Sequence, residues 1–197
     1  MAYYDLEATG SSIQSNRMGE WVNDDVVSTL YNAIQGVETG GLQGDDRYIR
    51  TKMEGSGSSA YGPLQMTAGE GSMMQNIYND AELAERLGIT DEEMNYIGRY
   101  INQGEKFLES VSDESKSQYG YGGIGELSSP ENQQLYDSVG KKFINYQWHN
   151  QAQGNPTEFI KKWHMGTGPQ AEADWGEYMK TETGQNYLSK FLGALGF

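Results

Sequence analysis

Apolar side chains recur at steps of three and four residues in several stretches of the chain, a spacing that places them on one face of a helix. The first of these stretches predicts a helix over about 20–37. Its apolar positions are Val22, Val26, Leu30, Ala33 or Ile34, and Val37. Two glycines follow at Gly40 and Gly41, and glycines at this point are typical of a helix end.

Further helical patterns cover most of the remaining chain. They lie at 72–78, 80–87, 91–111, 131–150, 157–165 and 174–195. Thr90 and Glu93 fit a capping box, in which each side chain bonds the backbone N–H of the other residue at a helix start. A short strand is expected over 47–53. The pattern therefore predicts one mainly helical domain with little sheet.

Two polar stretches stand apart from this pattern. Residues 1–18 contain Gly10-Ser11-Ser12 and predict an irregular N-terminal arm. Residues 112–130 are rich in glycine and serine and predict a loop inserted into the domain. The domain itself is expected to span 19–197, because no change in composition marks a linker within it.

Composition excludes several classes of function. The chain has 28 acidic and 14 basic residues, a formal net charge of −14, which disfavours nucleic acid and anionic lipid as partners. No run of about 18 apolar residues is present, so no membrane insertion is expected. Cysteine is absent and histidine occurs twice, which removes thiolate chemistry and gives little support for a metal site. No cofactor is expected.

Glu38 is the most informative position for chemistry. It stands at the end of the first predicted helix, directly before Thr39, Gly40 and Gly41. A carboxyl group at a partly dry wall is favoured in its protonated form, because desolvation raises its pKa and a helix C-terminus acts in the same direction. Glu38 could then act as a general acid. The alternative is a solvated glutamate in the last helical turn.

Two more stretches carry candidate binding residues. Tyr61-Gly62-Pro63-Leu64-Gln65-Met66 is either a turn leading into a helix start or a segment whose Gln65 faces a cleft and bonds an oxygen-rich ligand. Trp163-His164-Met165-Gly166-Thr167-Gly168 ends a predicted helix, and a glycine C-cap followed by Pro169 accounts for its glycines equally well.

Together and in this order, the three stretches resemble the motifs of lysozyme-like lytic transglycosylases, the soluble lytic transglycosylase family, over about 20–195. The resemblance implies an α+β lysozyme-like fold with a substrate cleft. It also implies cleavage of the MurNAc–GlcNAc β-1,4 bond in peptidoglycan glycan strands, with Glu38 as general acid and base and a 1,6-anhydro product. The substrate-binding residues that it implies are Thr39, Tyr61, Gln65, Met66, Trp163, His164 and Gly166.

The chain departs from the family pattern at two places. Thr39 stands where serine is usual and keeps the hydroxyl, whereas Trp163-His164 replaces Tyr-Asn. An indole N–H donates a hydrogen bond but cannot accept one, so His164 is the candidate for the polar contact in that block.

Three other functions remain open at this point. A hydrolytic lysozyme would need a second carboxylate, and the candidates are Asp45, Asp46, Glu54 and Glu70. A structural virion or assembly protein on a lysozyme-like fold would have weak or no activity. A carbohydrate-binding module would use the 14 tyrosines and four tryptophans for stacking on sugars.

The cellular context is inferred by elimination. The first ten residues lack the basic and apolar segments of a secretory signal, so we expect delivery by other means. A phage virion component that acts in the host cell envelope or periplasm fits this expectation, with other virion proteins as partners. Five basic residues lie near the three stretches, which predicts that the excess acid lies away from the cleft. These are Arg47, Arg50, Lys52, Lys161 and Lys162.

Overall fold

The computed structural model describes residues 24–48, 50–52, 59–110 and 129–197. The predicted arm at 1–18 and the inserted loop, apart from residues 129 and 130, lie outside the described residues, as does Glu54. The helices are α1 Asp24–Glu38, α2 Met73–Asn79, α3 Ala81–Leu87, α4 Asp91–Ser110, α5 Pro130–Tyr146, α6 Pro156–Met165, α7 Pro169–Tyr178 and α8 Glu182–Ala194. A 3-10 turn, Gly44–Arg47, follows α1, and a π-helical turn, Gln147–Gln151, follows α5.

The mainly helical character is confirmed. Local signals set the helix ends that the sequence predicts: Asp80 caps the start of α3, and Gly88 ends it in the left-handed conformation. Asn155 caps α6, with Pro156 at its first position. The capping box is also confirmed, because Thr90 N–H donates to Glu93 Oε2 at 2.8 Å and Glu93 N–H donates to Thr90 Oγ1 at 3.2 Å.

The single helix predicted over 174–195 is wrong. The structure has two helices there, α7 and α8, separated at Met179–Thr181. Thr181 starts the second one, because its hydroxyl accepts the Gly184 N–H at 3.0 Å. A Cβ on Gly184 would lie 2.2 Å from the carbonyl oxygen of Tyr178, so only glycine permits this close return of the chain.

A small antiparallel sheet has the order β1–β2–β3. Its strands are β1 Arg50–Lys52, β2 Ser59–Tyr61 and β3 Met66–Thr67. The strand expected over 47–53 is confirmed in its central part, whereas β2 and β3 were not predicted. The residues between them, 62–65, form a hairpin turn rather than the lead into a helix.

The chain is organised as two compact units. The hairpin unit is Ile34–Lys142 and carries the end of α1, the sheet, α2 to α4 and most of α5. The terminal-helix unit is Phe143–Phe197 together with the chain up to Ala33, of which 24–33 are described.

Tyrosines form the centre of the hairpin unit. Tyr61, Tyr96, Tyr100 and Tyr136 are fully buried, and Tyr48 is nearly so. The Tyr61 and Tyr136 rings meet edge to face with centroids 5.7 Å apart. The Tyr136 hydroxyl donates to Tyr61 O at 2.7 Å and accepts the Leu64 N–H at 3.1 Å. This one hydroxyl on α5 therefore holds both sides of the hairpin turn.

The terminal-helix unit has its own aromatic core. Phe159 and Phe191 are fully buried and stack with centroids 6.0 Å apart, which joins α6 to α8. Trp148 in the π-helical turn meets Phe159 edge to face at 5.8 Å. Lys161 on α6 bonds Glu158 and also Glu172 on α7, the latter at 2.8 Å.

Candidate functional site

Glu38 is the last residue of α1 and is half-buried. The Thr39 N–H and the Thr39 hydroxyl both bond the Gln35 carbonyl, at 2.9 and 2.8 Å, which completes the last turn of α1. Gly40 and Gly41 follow with φ of 63° and 84°, in the left-handed region that other residues rarely adopt. The sequence prediction that α1 ends at a glutamate before a glycine loop is thus confirmed.

The loop after Glu38 is fixed by Gln35, one helical turn earlier. The Gln35 side chain is only 8% exposed. Its Nε2 donates to Leu42 O at 3.0 Å, and its Oε1 accepts from Arg47 Nη1 at 3.2 Å. One amide group therefore ties the end of α1 to the glycine loop and to the 3-10 turn.

Arg47 extends this network to α5. Its Nη2 bonds the Tyr48 hydroxyl at 3.2 Å and lies 3.5 Å from Asp137 Oδ2. Burial, with the neighbouring Asp137 carboxylate, raises the pKa of Tyr48 well above its ordinary range, despite the opposing effect of Arg47. Tyr48 is therefore a neutral hydroxyl at any physiological pH.

Gln65 lies in the turn between β2 and β3, in the same unit as Glu38. Its φ of 47° is unusual for a residue other than glycine. Its backbone N–H and its side-chain Nε2 both donate to Gly62 O, at 2.9 and 2.8 Å. The side chain thus stabilises the turn that carries it and remains half-exposed.

Two of the predicted substrate-binding residues, Tyr61 and Met66, lie in the core. Tyr61 is fully buried in the tyrosine cluster and Met66 is 4% exposed, so neither side chain offers a surface to a ligand. The prediction that Tyr61 and Met66 contact substrate directly is therefore corrected, because the hairpin places both side chains in the core.

The third block lies in the terminal-helix unit. Trp163 stacks on Phe159 at 6.2 Å and contacts Phe143 at 6.0 Å. His164 lies against Tyr187 and Tyr178, with ring centroids 4.4 and 4.9 Å away. His164 is exposed at the surface, yet partial desolvation of its ring lowers its pKa, which favours the neutral form.

Gly166 ends α6 with φ of 85° and is exposed, and Pro169 begins α7 three residues later. Its conformation explains the glycine as a helix end. Thr39 is half-exposed, and its hydroxyl is engaged with the Gln35 carbonyl.

Three of the basic residues expected to offset the acidic charge are already paired. Arg47 lies beside Asp137, and Lys161 bonds two carboxylates, which together hold the pKa of Lys161 above its ordinary value despite its burial. Lys162 is 3.9 Å from Glu158. These three contribute little positive potential at a distance. Among the candidate second carboxylates, Asp45, Asp46 and Glu70 are exposed.

Sequence reasoning missed Gln35, Tyr136 and Asp137. Gln35 occupies a position on the buried side of α1, where a polar residue signals a specific partner. Tyr136 and Asp137 act on segments about 70 to 90 residues earlier in the chain, and no local pattern reports such contacts.

No described helix has the length and apolar character needed to span a bilayer. Within the same residues, no group of three or more histidine or acidic side chains could hold a metal ion. Comparison with protein-family models, with curated proteins and with solved structures gave no match.

Proposed function

We propose that the protein is a peptidoglycan lytic transglycosylase in which Glu38 is first the general acid and then the general base. The observation that carries the proposal is the setting of Glu38. It ends a core-packed helix, is half-buried, and precedes a glycine loop that buried Gln35 holds in place. A carboxyl group held on a helix, beside a glycine loop without bulky side chains, is positioned and accessible for contact with a sugar chain.

The reaction would need no group beyond this carboxyl and the substrate. Glu38 protonates the oxygen of the β-1,4 bond between MurNAc and GlcNAc, which lets the leaving sugar depart. The N-acetyl group of the substrate stabilises the oxocarbenium-like centre, as in substrate-assisted glycosidases. The Glu38 carboxylate then takes the proton of the 6-hydroxyl, whose oxygen closes the 1,6-anhydro ring.

Gln65 is the second residue that we assign to substrate. Its half-exposed amide lies on a hairpin turn fixed from within the core by Tyr136, so it is presented on a rigid support. Amide groups suit the hydroxyl and N-acetyl oxygens of glycans, since they both donate and accept. In the biological setting that we infer, the enzyme is carried in a phage virion and acts in the host cell envelope.

A structural virion protein on a lysozyme-like fold is the second candidate. The observation that favours it is the third block, where Trp163 and His164 pack against aromatic side chains of their own unit. Both side chains thus make contacts within the unit, although Trp163 is only half-buried and His164 is exposed.

A zymogram with embedded peptidoglycan tests the proposal. We expect clearing by the wild type, loss of clearing in Glu38→Gln, and unchanged clearing in Glu85→Gln, which removes one exposed charge from α3. Clearing that survives Glu38→Gln would reject Glu38 as the acid. Absence of clearing by every form, with folding verified, would favour the structural candidate.

A further inference from the structure

We propose that Gln35 is a positioning residue for Glu38, which makes the reaction depend on a side chain that does not touch the substrate. This inference rests on the proposed function. Its basis is that the buried side-chain amide of Gln35, on the last turns of α1, bonds both Leu42 O in the glycine loop and Arg47 in the 3-10 turn.

The geometry explains why glutamine is needed at this position. Its Nε2 donates to Leu42 O and its Oε1 accepts from Arg47, so both ends of the amide are in use. Glutamate could accept from Arg47 but could not donate to Leu42, and methionine of similar length could do neither. Only a primary amide satisfies both partners at once.

Other bonds of this segment join near neighbours in the chain: Thr39 bonds the Gln35 carbonyl, and Gln43 Nε2 donates to Gly41 O at 3.0 Å. Gly40, Gly41 and Gly44 all have positive φ, and a Cβ on any of them would meet no atom within 4 Å. The loop therefore borders open space and is not held by packing. Since a glycine loop has many accessible conformations, the bond from Gln35 to Leu42 selects one of them.

Arg47 and Asp137 anchor this arrangement to the rest of the unit. Arg47 bonds Gln35 with one guanidinium nitrogen and lies beside Asp137 on α5 with the other. Because α5 also carries Tyr136, which holds the Gln65 turn, the same helix supports both proposed substrate residues. Glu38, through Gln35 and Arg47, and Gln65, through the turn held by Tyr136, are thus both linked to α5.

The test compares wild type, Gln35→Met and Gln35→Glu by turnover of peptidoglycan and by amide hydrogen exchange over residues 39–42. In Gln35→Met we expect faster exchange in this segment and a fall in kcat of about ten- to a hundredfold with KM nearly unchanged, as for a misplaced catalytic group. Gln35→Glu keeps the partner of Arg47 and loses the bond to Leu42, so it should show the same faster exchange. The matched control is Gln134→Met, at an exposed glutamine on α5.

The possible results separate the two proposals. Unchanged exchange and unchanged kcat in Gln35→Met would overturn the positioning role while leaving Glu38 as the acid. A rise in KM with kcat retained would also overturn it, because it would place Gln35 in binding. If the wild type itself shows no turnover, the proposed function fails, and exchange alone then decides whether Gln35 holds the loop. Near-ultraviolet circular dichroism of the tyrosine cluster verifies that each variant is folded.

Discussion

The hydroxyl of Tyr136 is the point at which the hairpin unit can be tested most sharply. Tyr136→Phe removes one oxygen from a fully buried ring and leaves the volume of the core almost unchanged. It leaves Tyr61 O and the Leu64 N–H without the bonds of 2.7 and 3.1 Å that they now make to this hydroxyl. The third contact, from the Met66 N–H at 3.5 Å, is too long to add much.

The expected loss follows from the two buried groups. The Leu64 N–H loses its bond inside the core, which costs about 1–3 kcal/mol, and the loss of one of the bonds to Tyr61 O adds about 0.5–1.5 kcal/mol, so Tyr136→Phe should destabilise the protein by about 1.5–4.5 kcal/mol. At about 2–4 °C for each kcal/mol in a chain of this size, Tm should fall by roughly 3–18 °C. A loss of this size is a large share of a typical stability of about 5–15 kcal/mol.

Urea unfolding followed by near-ultraviolet circular dichroism measures this loss, because buried tyrosines dominate that signal in the hairpin unit. Tyr78→Phe is the control, since Tyr78 is 52% exposed and its change should stay within about 0.5 kcal/mol. Equal unfolding midpoints for Tyr136→Phe and the wild type would refute the reasoning. Hydrogen exchange at the Leu64 amide should rise in Tyr136→Phe alone.

Three further predictions follow from single contacts. Gly62→Ala should destabilise the protein clearly more than Gly40→Ala in urea unfolding, because both have positive φ but only at Gly62 would a Cβ meet a ring, at 2.5 Å from Tyr136; equal losses would contradict this. Burial alone would raise the pKa of Glu93, but the bonds that Glu93 makes with Lys142 and with neighbouring groups outweigh burial and lower this pKa. The ionised carboxylate therefore stabilises the fold at neutral pH, and this stabilisation is lost as the pH falls through the lowered pKa. In Lys142→Met, the urea midpoint should therefore begin to fall at a higher pH than in the wild type, and an identical pH profile would reject the pair. Nuclear magnetic resonance titration of His164 should give a pKa below the ordinary value of about 6.5, and a value above it would contradict the partial desolvation of its ring.

How far the sequence could predict the fold depended on how local each cause is. The capping box at Thr90 and Glu93 and the left-handed Gly88 depend on residues within four positions of each other, and both were predictable. Strands β2 and β3 have three and two residues, too few for an alternating pattern. They are held by Tyr136, some 70 residues away, which no periodicity records.

In the candidate site, too, features with local causes could be predicted and features that depend on distant contacts could not. The glutamate at a helix end before glycines was predictable, because both signals stand side by side in the chain. The burial of Tyr61 and Met66 was not, since it depends on which face the hairpin turns to α4 and α5. Pairing of Arg47 with Asp137 was likewise hidden by the 90 residues between them, so the sequence overstated the positive charge near the site.

The most direct test of the central claim is mass analysis of the muropeptides released from peptidoglycan by the wild type and by Glu38→Gln. We predict products ending in 1,6-anhydro-MurNAc from the wild type and no products from Glu38→Gln. Release of reducing-end products would show a hydrolase that activates water. Anhydro products formed equally by Glu38→Gln would contradict the account, because the proton would then come from another group.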